Sequence, residues 1–173
     1  MKEKFKTLLP VKSSLISLYI ALTVPIPFTS SDQLKIPSLF LFIVGLFLII
    51  NITSDYVETC GKKISYKTSF ISRAFGKKNW EIFWEEIKSI KSIPTSQGSK
   101  VFYFVNEKGK NLLLPQRIEN FETFLETIEK KTNISTEGIS YISPLWTYKL
   151  LTSLSLMSIV GEIILFWFKY YQY

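Results

Sequence analysis

Three long runs of apolar residues divide this chain, and nearly all of its charged residues fall in the gaps between them. The first uncharged run extends from Ser13 to Ser31, between Lys12 and Asp32. The second, Ile36 to Ser54, lies between Lys35 and Asp55, and its centre from Leu39 to Ile50 is almost entirely Leu, Ile, Phe and Val. A helix of about 19 residues rises roughly 28 Å, close to the thickness of a bilayer core. Pro25 and Pro27 remove two backbone donors from the first run, so its helix is expected to end or kink near Val24. Lys2, Lys4, Lys6 and Lys12 precede this run as they would in a secretory leader. No small-residue cleavage site follows, however, and the second run begins a few residues later, which favours a transmembrane hairpin.

The third run, Leu150 to Phe168, is broken only by Glu162. An acid at mid-membrane costs about 2.5–3.5 kcal/mol on insertion scales, which the surrounding Leu and Ile residues offset. Trp146 and Tyr148 stand before the run, and Trp167, Tyr170, Tyr171 and Tyr173 close it, as in an aromatic belt. Thr152, Ser155, Ser158 and Glu162 fall on one side at helical spacing and form a candidate helix-packing stripe. A neutral, hydrogen-bonded Glu162 in a helix interface is favoured over an ion or proton path, since three helices with one buried acid make a poor transporter.

Between the second and third runs the period changes. Tyr56 to Thr59 and Lys63 to Phe70 flank Gly61 as two strands around a turn. Trp80, Ile82 and Trp84 alternate with Glu81 and Phe83, predicting a strand with a buried face on which both Trp residues are core. Glu85 and Glu86 interrupt that alternation, which predicts a bulge or bend. Val101 to Val105 and Asn111 to Leu114 form a further hairpin around the turn Asn106-Glu107-Lys108-Gly109. Phe121, Phe124, Leu125 and Ile128 then follow helical spacing, with Asn120 as N-cap, Glu122 in the first turn, and Lys130 and Lys131 in the last. The expected organisation is a tail and transmembrane hairpin over residues 1–54, a soluble domain over 55–143, and a C-terminal transmembrane helix over 144–173.

Charge adds an orientation. The N-terminal lysines, and the cluster Lys62, Lys63, Lys67, Arg73, Lys77 and Lys78 after the second run, outnumber the basic residues of the hairpin loop. The positive-inside rule therefore puts the N-terminus and the soluble domain in the cytoplasm and the C-terminus outside or in a lumen. The same rule leaves a plasma membrane and a thylakoid-type membrane undistinguished. The six basic residues are also the candidate contacts for anionic lipid or a protein partner, beside the plainer reading that they only set topology. The segment from Asp55 to Ser143 holds 14 basic and 11 acidic residues, a balance that argues against nucleic acid as a partner.

Composition removes several chemistries. The chain has no histidine and a single cysteine, Cys60, so zinc sites, imidazole-based triads and an intrachain disulfide are excluded. Glu81, Glu85 and Glu86 lack a second cluster and read as solvated positions rather than paired acid–base carboxylates. No catalytic residue, metal or cofactor is expected.

The motif Ile82-Phe83-Trp84-Glu85-Glu86-Ile87-Lys88-Ser89-Ile90, preceded by the basic stretch Ser72-Arg73-Ala74-Phe75-Gly76-Lys77-Lys78 and followed by a hairpin and a helix, resembles the bacterial pleckstrin-homology-like domain of membrane proteins. That resemblance, over Lys63 to Lys131, implies a bent antiparallel sheet or barrel closed by its C-terminal amphipathic helix. The fold class expected is thus three membrane helices plus an α+β soluble domain. The stretch Phe75-Gly76-Lys77-Lys78-Asn79-Trp80, after a two-span hairpin, is also similar to the photosystem I assembly protein of cyanobacteria and plastids. The first resemblance implies a non-enzymatic module that meets membrane lipids or membrane proteins at the cytoplasmic face. The second implies an assembly factor for a larger membrane complex, with its spans as part of the binding surface.

Overall fold

A computed structural model describes residues 2–107 and 109–171. Lys108 of the expected hairpin turn and Tyr173 of the expected aromatic belt lie outside the described residues, as does the side chain of Tyr170. The chain divides into two compact units, an α+β unit of Met1–Leu8 with Ser54–Pro144 and a helical unit of Leu9–Thr53 with Leu145–Tyr173.

The α+β unit begins where the sequence reads as a charged tail. Glu3–Lys6 is a strand, β1, whose alternation places Phe5 in the core at 5% exposure. It pairs antiparallel with β2 (Tyr56–Thr59), from Glu3↔Thr59 to Lys6↔Tyr56. Two lysines at its start meet the neighbouring strand: Lys2 lies 3.2 Å from the Glu58 carboxylate, and the Lys4 ammonium sits 3.6 Å from the centre of the Tyr56 ring. The helices Leu9–Thr23 through Asp32–Ile52 are therefore an insertion between two neighbouring strands of one sheet.

β3 (Lys63–Lys67) and β4 (Trp80–Phe83) complete an antiparallel sheet in the order β1-β2-β3-β4. The expected strand Lys63–Phe70 stops at Lys67, and a short helix α4 (Phe70–Ala74) follows, with the Ser69 hydroxyl accepting from the Ser72 N–H at its start. The interruption at Glu85–Glu86 is a 3-10 turn over Trp84–Glu86, which swings the chain into a second sheet. That sheet holds β5 (Ile87–Pro94), β6 (Lys100–Asn106) and β7 (Asn111–Leu113) in sequence order. The two sheets share no ladder among the described residues, so the barrel expected from the sequence is not closed.

Helix α5 (Phe121–Thr132) turns Phe121, Phe124 and Ile128 into the core formed by both sheets. Phe124 meets Phe5 edge-on, with ring centroids 5.2 Å apart. Trp84 is buried as expected and its indole N–H donates to the Cys60 carbonyl, while Trp80 is partly buried and stacks on Tyr66. Asn120 stands at the N-cap position but does not cap: it adopts φ 51°, and its side chain makes no capping hydrogen bond. Asparagine tolerates this left-handed conformation, so it serves the turn into the helix and not the helix end.

In the helical unit, α1 (Leu9–Thr23) ends one residue before Val24, and α2 (Pro25–Thr29) carries both prolines, the interruption their missing donors predict. Helices α3 (Asp32–Ile52) and α6 (Leu145–Tyr171) are continuous. Three helical stretches, Leu9–Thr29, Asp32–Ile52 and Leu145–Lys169, are long and apolar enough to cross a membrane. Each begins about four residues earlier than the uncharged runs suggest, because helix hydrogen bonding continues through Lys12, Lys35 and Lys149.

α1 packs on α6 through small polar residues, with Ser14 and Ser17 on one side and Ser155 on the other buried. Their hydroxyls donate to carbonyls of their own helices: Ser14 to Val11 at 3.0 Å, Ser17 to Ser14 at 3.3 Å and Ser155 to Leu151 at 2.8 Å. They act as small residues permitting close approach, not as bridges between helices. The predicted stripe is only partly interfacial, since Thr152 and Glu162 are half-buried and Ser158 is exposed. Ser158 donates to Glu162 Oε1 at 3.3 Å within the helix, and Oε2 has no hydrogen-bond partner among the described residues. Between α1 and α3, the Tyr19 hydroxyl donates to the Phe42 carbonyl at 2.9 Å, over Gly45, where any side chain would run into the Tyr19 ring.

Candidate functional site

The register of the first sheet sorts its loops into two ends. Lys6, Tyr56 and Lys67 are aligned at one end, next to the Tyr66–Trp80 pair, and Glu3, Thr59 and Ile64 at the other. The chain leaves the sheet after Lys6 and returns before Tyr56, so the first end carries both junctions with the inserted helices. The β3–β4 loop, residues 68–79, emerges from that same end.

Asp55 organises this end. It is 5% exposed and its carboxylate takes three bonds: Ser69 N–H to Oδ1 at 2.9 Å, Lys77 Nζ to Oδ2 at 2.9 Å, and the Tyr66 hydroxyl to Oδ2 at 3.1 Å. Its backbone carbonyl accepts from the Thr7 hydroxyl at 2.8 Å, tying the exit from β1 to the entry of β2. Burial first, then the Asp55 charge and the hydrogen bond to it, push the Tyr66 phenol well above the usual tyrosine range. A second clamp closes the loop, where Asn79 Oδ1 accepts from both the N–H and the hydroxyl of Thr68 at 2.7 Å.

The loop held in this way displays an unusual surface. Ile71 and Ser72 of α4 face inward, while Phe70 and Phe75 are 76% and 71% exposed. Arg73 and Lys78 are exposed beside them, Gly76 makes the turn at φ 85°, and no acid occurs between Lys67 and Trp80. Two large rings on one short segment are a costly exposure for a small domain in water.

The six basic residues singled out in the sequence do not form one cluster. Lys67, Arg73, Lys77 and Lys78 belong to the junction end, whereas Lys62 in the β2–β3 turn and Lys63 at the start of β3 lie at the opposite end, about four strand residues or ~13 Å away. Two of the six are already committed: Lys77 to Asp55, and Lys63 to Glu81 at 2.9 Å. The hydrogen bond and charge of Lys63 hold the Glu81 carboxyl below its ordinary range. Sequence reasoning missed Asp55, Tyr66, Phe70 and Phe75. The last two carry a legible signal, apolar rings interleaved with basic residues in Ser69-Phe70-Ile71-Ser72-Arg73-Ala74-Phe75-Gly76-Lys77-Lys78. Asp55 carries none, because its partners come together only through the sheet.

No family model matches the sequence. The chain is similar to a protein of Synechocystis sp. (strain ATCC 27184 / PCC 6803 / Kazusa) named uncharacterized protein slr0269, with 29% identity over 147 residues that cover 82% of this chain and 74% of that protein.

Proposed function

We propose that this protein is a non-enzymatic, membrane-held binding module whose α+β unit is pleckstrin-homology-like and is presented at the cytoplasmic face. The observation that carries this reading is the insertion of α1, α2 and α3 between β1 and β2. A domain completed by strands on both sides of an apolar hairpin cannot be released from its anchor without losing an edge strand. Such an arrangement serves to keep a surface at the membrane, not to deliver a mobile domain elsewhere. A four-stranded and a three-stranded antiparallel sheet followed by a helix support the pleckstrin-homology-like assignment, and the basic residues flanking the first two apolar helices support the cytoplasmic orientation.

A second reading, an assembly factor for a larger membrane complex, draws on α3, which has no buried residue and exposes Phe40, Leu41 and Phe47. Purification of the full chain from its native membrane in a mild detergent tests both. The module reading expects a co-purifying membrane protein that is lost when the α+β surface is altered and the helices are intact. The assembly reading expects that loss from Phe40→Ala, Leu41→Ala and Phe47→Ala instead. A monodisperse lone chain, after in-membrane crosslinking as well, would overturn the scaffolding role in either form.

A further inference from the structure

We infer that the β3–β4 loop is an interfacial anchor that seats Phe70 and Phe75 in the headgroup layer of an anionic membrane, with Arg73 and Lys78 on the lipid phosphates. The inference rests on the membrane-held module reading and adds the surface and its partner.

Three independent observations converge on it. The loop leaves the same sheet end at which the chain runs out to the apolar hairpin after Lys6 and returns from it before Tyr56. Its two exposed rings project from a segment whose other face is buried through Ile71 and Ser72, which matches the one-sided burial of an interfacial helix. Its charge is purely basic, and because Lys77 is taken by Asp55, the residues free to meet phosphates are those beside the rings. Aromatic rings with adjacent cations fit the headgroup boundary, where the ring enters the acyl edge and the cation stays with the anionic lipid. The Asp55 and Asn79 clamps hold the loop in shape, which lowers the ordering cost of insertion.

The lone cysteine makes the test direct. Cys60 is exposed in the β2–β3 turn at the opposite end of the sheet and serves as the aqueous reference. The full chain is reconstituted into vesicles of phosphatidylcholine, with or without about one-third phosphatidylglycerol, and spin-labelled either at Cys60 or at Ala74→Cys in a Cys60→Ser background. Ala74 is exposed and lies between the two rings, so both remain in place. Accessibility to oxygen and to a water-soluble nickel relaxant gives the depth of each label.

The label at position 74 is expected below the phosphate level in anionic vesicles, with the label at Cys60 in water throughout. Phe70→Ser with Phe75→Ser should return the position-74 label to water. Arg73→Glu with Lys78→Glu should weaken its immersion about 25-fold or more in anionic vesicles, at roughly fivefold for each basic charge removed. A position-74 label as water-accessible as Cys60 in anionic vesicles overturns the inference, and so does immersion indifferent to both double variants. The vesicles contain no other protein, so either failure is separable from failure of the module reading, which is judged by co-purification.

Discussion

Removing β1 while keeping every residue from Asp55 to Pro144 should unfold the α+β unit, although the missing piece is a charged segment that lies beyond 45 residues of helical insertion in the chain. Phe5 is 5% exposed and packs edge-on against Phe124 at 5.2 Å. Truncating a buried Phe costs about 3–5 kcal/mol, and loss of the whole strand also removes a ladder and uncovers β2. Domains of this size are stable by about 5–15 kcal/mol, so the loss takes most or all of that margin. The ends at Thr7 and Asp55 are adjacent in the sheet, which permits a controlled comparison. One shortened chain holds residues 55–144 alone. The other holds residues 2–7, an Asn-Gly turn and residues 55–144, since a two-residue type I′ turn closes an antiparallel pair. Urea denaturation followed by the fluorescence of buried Trp84 should give a cooperative transition for the rejoined chain and none, or a midpoint near zero urea, for the other. Phe5→Ala in the rejoined chain should remove about 3–5 kcal/mol. Equal midpoints and slopes for the two chains would refute the reasoning, because β1 would then be an ornament on a complete sheet.

Other changes have equally defined outcomes. In the rejoined chain, Asp55→Asn keeps an acceptor for Ser69 but turns a donor toward both Lys77 and Tyr66; Lys77 is half-exposed, so the ion pair itself counts for little, and thermal melting should report a loss of about 1–3 kcal/mol from the broken bonds. The folded state holds the Tyr66 proton more tightly than the unfolded state does, so this contribution is intact below the ordinary tyrosine value of 10.0 and is lost as pH rises beyond it. Urea midpoints measured across alkaline pH should therefore fall, and Tyr66→Phe should flatten the fall; an unchanged slope would remove Tyr66 from the explanation. In the full chain, Gly45→Leu should lower the thermal stability of the detergent-solubilised protein by crowding Tyr19, and adding Tyr19→Ala should recover part of the loss. Additivity of those two changes would show that the residues do not meet.

What the sequence discloses depends on whether the cause is local. The apolar runs, the strand begun by Trp80 and Ile82 and the helical spacing of Phe121, Phe124 and Ile128 are legible, because burial of one face leaves a period in the residues themselves, although Trp84 falls in the turn after β4 and Trp80 is only partly buried. β5 escaped notice for a specific reason: Ile87 and Ile90 both meet the core, at a spacing of three where a strand has two. The ladder slips between Ile87 and Ser89, and that bulge returns both side chains to the same face. β1 offers a single apolar residue among charges and finds its partner across the whole hairpin, so no local pattern announces it. Asp55 is the same case in the candidate site, a carboxylate next to an apolar run whose three donors lie 11 to 22 residues away.

The split sheet also has a bearing on how the protein is made. β1 is synthesised before the apolar hairpin and β2 after it, so in a chain whose hairpin crosses a bilayer their pairing requires both ends of that hairpin on one side. An insertion error in which only one of the two helices crosses would leave β1 on the far side from its partner, and the sheet could not close. Completion of the sheet in a membrane-inserted chain therefore depends on both helices of the hairpin having crossed. A chain in which they had not would display an open β2 edge, a template for pairing with other chains.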